Sequence, residues 1–142
     1  MKKYLFISVK HEYANKILEG TKTIELRKSK PKVSKGDFVI IYSTTPVKAI
    51  IGIAEVDDLI SCPPDSMWRL HSKKLGIKHK DFLDYYSNSE TSIGIVLSNP
   101  KKYRSAISLS SIKRDHPEFQ PPQTYRYFMD FQPSKSPLFI SY

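Results

Sequence analysis

Two apolar runs joined by a short polar turn constrain this chain more than any other feature. Phe38-Val39-Ile40-Ile41-Tyr42 is continuously apolar, Ser43-Thr44-Thr45-Pro46 is a polar turn, and Val47 to Val56 forms the second run. Unbroken β-branched and aromatic stretches of this length read as strands covered on both faces. The pair therefore predicts a buried hairpin at the centre of a sheet. Gly52 interrupts the second run and predicts a bulge or bend of the kind that curls a sheet towards a barrel.

The segments around the hairpin read in the same way. Tyr4 to Val9 is a short buried strand. From His11 to Glu19 the apolar Tyr13, Ala14, Ile17 and Leu18 recur on one helical face, and Gly20 stands where a left-handed cap belongs. Thr23 to Arg27 alternates with period two, so Ile24 and Leu26 face one side while Glu25 and Arg27 face the other. Pro63-Pro64-Asp65 opens a helical stretch with Met67, Trp68 and Leu75 facing inward, ended by Lys73, Lys74 and Gly76. A second short helix runs from about Lys80 to Tyr86, and Thr91 to Leu97 is a strand stopped by Asn99-Pro100. Strands separated by helical insertions with few βαβ crossovers give an α+β class. The length of 142 residues predicts one domain over residues 1–142, with a helical insertion over about 63–88 and an extended tail over about 131–142.

Charge narrows the partner. Twenty-three basic residues oppose fourteen acidic ones, a net charge of +9. Residues 1–36 alone hold ten basic and three acidic side chains. Such an excess points to an anionic ligand, nucleic acid above all, although a basic surface also serves solubility. Lys28, Lys30, Lys32 and Lys35 form a loop with no acid among them, fit to track phosphates with Lys10 without reading sequence. The apolar run behind Lys2 and Lys3 is too short for a signal peptide or a membrane span, so a cytoplasmic location without membrane contact is expected.

The densest polar constellation is Lys22, Glu25 and Arg27. A carboxylate between two cations can accept hydrogen bonds from a base or act as a general base, and arginine offers a planar fork for a phosphate or a base edge. Spacing alone favours the plainer reading of a salt-bridged solvent face. His11, His71, His79 and His116 show no metal-ligand spacing, Cys62 has no partner cysteine, and no glycine-rich phosphate loop is present. Neither a metal nor a nucleotide cofactor is expected. Tyr85, Tyr86, Tyr125 and Tyr127 could stack on bases, whereas Phe6, Phe38, Phe82, Phe128 and Trp68 read as packing residues.

The string Gly20-Thr21-Lys22-Thr23-Ile24-Glu25-Leu26-Arg27 resembles the GxKxxExR signature of the ASCH domain family, part of the wider PUA-like group. Ser8-Val9-Lys10, Tyr13-Ala14 and Ile17-Leu18 before it, and Gly36-Asp37 with Tyr42 to Gly52 after it, resemble the family's run from first strand to central hairpin. The likeness returns at Phe82, Tyr85 and Tyr86. It implies a small mixed PUA-like β-barrel flanked by helices, with Lys22, Glu25 and Arg27 on the floor of a cleft. Tyr42, Ser43 and Thr44 would form its wall, with Tyr86 as a further ligand-binding residue. The family is associated with RNA binding, and its branches include ribonucleases and amidohydrolases acting on acetylated cytidine. For the amidohydrolases the catalytic lysine corresponds to Lys22, and Glu25 stands where they carry a threonine.

The first expectation is thus an RNA-binding module that holds a base or nucleotide in the cleft. The second is an enzyme on RNA or a modified nucleoside, with Lys22 polarising the scissile group and Glu25 as base. A transcriptional regulator on duplex DNA comes last, because no long basic helix is evident.

Overall fold

Pairing around the apolar runs builds the sheet. A computed structural model describes residues 2–129, and the tail expected over residues 131–142 lies outside them. Strand β1 (Tyr4–Val9) lies parallel to β3 (Phe38–Ser43), with Tyr4 opposite Phe38 and Val9 opposite Ser43. Parallel neighbours need a long connection, here helix α1 (His11–Glu19), strand β2 (Ile24–Arg27) and the lysine loop. Strand β3 turns into β4 (Ala49–Cys62), and β4 pairs antiparallel with β5 (Ser92–Ser108). Between them lie α2 (Pro64–His71), a short 3-10 turn (Ser72–Lys74) and α3 (His79–Tyr85). Helix α4 (Leu109–Asp115) and strand β6 (Arg126–Phe128) follow. The order across the six-stranded sheet is β2-β5-β4-β3-β1-β6.

The class is α+β, but the sheet is not closed into a barrel, which corrects that part of the expectation. Strands near opposite ends of the order nevertheless meet: the Arg27 guanidinium on β2 donates to the Ser8 carbonyl on β1 at 2.9 Å. Beyond them the Tyr125 hydroxyl donates to the Ser29 carbonyl at 2.7 Å, and the Lys32 amide donates to the Tyr127 hydroxyl at 2.9 Å. The sheet curls back on itself, and side chains, not a backbone ladder, bridge the gap.

Alternation within the central strands splits the core. Leu5, Ile7, Val9, Val39 and Ile41 bury one face against Ala14 and Ile17 of α1. Phe6, Ile40, Tyr42 and Ile50 bury the other against Ile112 of α4, Phe119 and Phe128. A third cluster seats Met67, Leu75, Phe82 and Tyr86 on Ile24 and Leu26 of β2, while Trp68 packs at its margin and stacks on His79 at 4.3 Å.

The strands depart from their expected ends. Strand β4 begins only at Ala49, because Lys48 adopts a left-handed turn conformation with φ 51°. The β4–β5 register shifts on either side of Gly52, as a bulge requires. A Cβ on Gly52 would lie 2.6 Å from a Leu18 methyl and 2.5 Å from the Lys101 carbonyl oxygen, so helix and neighbouring strand both approach the bare backbone. Strand β5 does not stop at Asn99-Pro100 but runs on to Ser108. Its pairing jumps from Ser98 opposite Glu55 to Lys101 opposite Ile53, so Pro100 falls in a gap where no ladder N–H is needed. Helix α4 was not anticipated, although the Ser108 side chain caps it by accepting from the Ser111 amide at 3.1 Å.

Candidate functional site

The period-two reading of β2 carries directly into the site. Ile24 and Leu26 enter the apolar cluster beneath α2 and α3, while Glu25 and Arg27 line a cleft of about 820 Å³. Lys22 reaches the same cleft from the turn after α1, where Gly20 at φ 85° closes the helix. All three residues are nearly buried, Lys22 at 2%, Glu25 at 6% and Arg27 at 8% exposure. They do not form a solvent face, and buried charges of this kind persist only when paired and hydrogen-bonded.

The pairing is specific. Glu25 Oε2 accepts from Arg27 Nε at 3.0 Å and is ion-paired with Nη2 at 2.9 Å. Glu25 Oε1 faces Lys22 Nζ at 3.7 Å, and Lys22 Nζ donates to the Leu75 carbonyl at 2.5 Å. The Lys22 ammonium also lies 5.3 Å from the centre of the Tyr13 ring. Burial lowers the Lys22 pKa from its ordinary value, and the adjacent Glu25 charge offsets part of that shift. Arg27 is held from three further sides: by the Ser8 carbonyl, by the Tyr125 ring at 5.7 Å, and through its own carbonyl, which accepts from the Tyr86 hydroxyl at 2.9 Å.

Helix α3 supplies one wall. Asp81, Asp84 and Tyr85 follow i, i+3, i+4 spacing and face the cleft, while Phe82 and Tyr86 of the opposite stripe pack into the apolar cluster. The first turn of α1 adds Glu12 and Tyr13. Lys28 at the rim lies over the Tyr85 ring at 4.6 Å. Tyr13, Tyr85 and Tyr125 all have raised pKa values, foremost through burial, so each stays a neutral phenol at physiological pH. The charges of the lining balance: Lys10, Lys22, Arg27 and Lys28 are met by Glu12, Glu25, Asp81 and Asp84. Such a lining carries no net charge to draw in a bare phosphate.

Other residues expected at the site lie elsewhere. Tyr42 packs at 5.7 Å from Phe6 in the cluster on the opposite sheet face. Ser43 is fully buried, with Oγ 3.0 Å from His11 Nδ1. Thr44 donates its amide to the Val9 carbonyl at the end of the parallel pair. None of these three lines the cleft. Tyr86 sits beneath it, holding the Arg27 backbone. Lys10 and Lys28 line it, whereas Lys30, Lys32 and Lys35 are exposed on the neighbouring loop, with Lys35 3.9 Å from Asp57. Asp81 and Gln123 were missed. The i, i+3, i+4 spacing on α3 was a readable signal for the first, and the second stands on an irregular segment that offered none. Among the described residues no three His, Cys, Asp or Glu side chains are placed to hold a metal ion, and no helix is long and apolar enough to cross a membrane.

The sequence profile of the ASCH domain matches residues 7–106. The chain belongs to the ASCH domain family. An ASCH domain-containing ribonuclease from Zymomonas mobilis is 28% identical over 123 residues, 87% of this chain and 82% of that protein. The crystal structure of ASCH from Zymomonas mobilis superposes with a TM-score of 0.84 at 27% identity, covering 89% of this chain and 88% of that one. The N-terminal domain of Staphylothermus marinus McrB shares the fold at a TM-score of 0.54 and 11% identity, over 92% of this chain and 89% of that one. Lys22, Glu25 and Arg27, on which the resemblance to the family signature rests, lie within the matched span and meet in the cleft.

Proposed function

We propose that this ASCH domain acts on RNA, drawing one nucleotide of a single strand into the cleft so that its base meets Lys22, Glu25 and Arg27. The observation that carries this reading is the charge balance of the lining around a donor and an acceptor set 3.7 Å apart, Lys22 Nζ and Glu25 Oε1. A base offers complementary donors and acceptors to that pair, and the exposed Tyr85 ring gives it a stacking surface at the rim. The phosphates stay outside, where Lys28, Lys30, Lys32 and Lys35 are exposed. The ribonuclease name of the Zymomonas mobilis relative supports RNA as the polymer.

Fluorescence anisotropy of a labelled RNA oligonucleotide over a series of salt concentrations tests the reading. With about four loop lysines each neutralising a phosphate, the loop alone is expected to contribute about −3 to the log-log salt slope, at roughly −0.7 per contact. A slope near zero overturns it.

The ribonuclease-named relative favours a second reading in which the bound RNA is also cut. Glu25 Oε1 is then the proton acceptor, because Oε2 is occupied by Arg27. The Lys22 ammonium, 3.7 Å from Glu25 Oε1, would polarise the group under attack. Mass spectrometry of an RNA pool and of free nucleosides after incubation separates strand cleavage from loss of an acyl group. Glu25→Gln is expected to abolish turnover while RNA binding survives. Products undiminished in that variant would refute the assignment.

A further inference from the structure

Outside the cleft, the longest acid-free stretch of the described chain is residues 91–114, which holds Lys101, Lys102, Arg104, Lys113 and Arg114. Three of these cations sit where β5 leaves its ladder. Lys102 is opposite Gly52 and Ile107 is opposite Ile50, so β4 has only Ile51 where β5 has Tyr103, Arg104, Ser105 and Ala106. The surplus residues must arch out of the sheet, and bulges of this kind re-aim side chains. Lys101, Lys102, Arg104, Ser105 and Ala106 are all exposed. None of the three cations forms an ion pair among the described residues, and the nearby Glu55 carboxylate accepts instead from the Asn99 amide.

The arch is joined to the cleft by α1. Tyr13, in the first turn, lines the cleft. Leu18, in the last turn, lies over Gly52, whose other neighbour is the Lys101 carbonyl. Tyr13 and Leu18 are five positions apart on the helix, a rise of about 7.5 Å along the axis.

We propose that the β5 arch is a second nucleic-acid contact, which binds the phosphates of the same RNA strand a few nucleotides from the one held in the cleft. The inference rests on the RNA reading above. The cleft, with its balanced charge, selects the base, and the exposed cations of the arch lengthen the footprint on the backbone.

The test compares wild type with the triple variant Lys101→Gln, Lys102→Gln, Arg104→Gln on a trinucleotide and on an RNA of about twelve nucleotides, with unchanged thermal unfolding as the check that the exposed substitutions leave the fold intact. Expected is an unchanged trinucleotide affinity, a weaker grip on the longer RNA, and a salt slope shallower by about 2, at roughly 0.7 for each lost contact. Equal binding of the longer RNA by both proteins overturns the arch and leaves the cleft standing. No RNA binding by wild type at either length overturns both. If wild type binds polyglutamate as tightly as RNA and the variant loses both alike, the arch is a general polyanion surface and the proposal fails.

Discussion

The grip on Lys22 from the insertion between β4 and β5 can be tested at a residue with no side chain. Gly76 has a φ of +58°, and a Cβ there would lie 2.7 Å from Lys22 Cβ, 3.0 Å from Cγ and 3.3 Å from Cδ. Gly76→Ala therefore carries two costs. The left-handed backbone costs any residue with a Cβ about 1–2 kcal/mol. The overlap adds to it, because Lys22 Cβ is fixed by the backbone and cannot swing aside. Gly20→Ala isolates the first cost: Gly20 has a φ of +85° and nothing within 4 Å of its would-be Cβ. Urea unfolding is expected to show a loss of about 1–2 kcal/mol for Gly20→Ala and a loss of about 3 kcal/mol for Gly76→Ala, within the usual range for local strain. Only the second substitution pushes Lys22 off the Leu75 carbonyl and away from Glu25, so only it is expected to weaken RNA binding. Equal losses of stability in the two variants, with RNA affinity intact in Gly76→Ala, would refute the claim that this turn positions Lys22.

Lys22 also gives the fold a pH dependence whose sign follows from burial. Its folded pKa lies below the ordinary 10.5, so between those two values the unfolded chain holds more protons and stability gains with rising pH. Relative to Lys22→Met, wild type is expected to become more stable as pH climbs through that window; a flat or falling difference in urea titrations would contradict it. Tyr86→Phe leaves the Arg27 carbonyl without its hydroxyl partner and is expected to cost about 1–2 kcal/mol of stability, read by the same titrations. Tyr85→Ala, on the exposed face of α3, is expected to weaken RNA binding by about 1–3 kcal/mol in anisotropy while barely moving the unfolding midpoint.

Local periodicity made part of the site legible, and chain crossings hid the rest. The alternation of β2 was enough to place Glu25 and Arg27 on one face, because side-chain direction on a strand depends only on parity. It could not supply the Leu75 carbonyl, the Tyr86 hydroxyl or the Tyr125 ring, which arrive from 53, 59 and 98 positions along the chain through an insertion and a returning edge strand. Tyr42 shows the opposite difficulty. In a strand buried on both faces, hydrophobicity carries no parity signal, and Tyr42 alternates with Ile41 into the cluster shared with Phe6, away from the cleft. Pro100 misled for a related reason: a proline stops a strand only where its N–H would be used, and the register jump after Ser98 removes that need. The same jump begins the stretch that ends in the arch carrying Arg104. Prolonging β5 and exposing its cations are thus two effects of one irregular ladder, and a sequence reading that ends the strand at Pro100 loses both together.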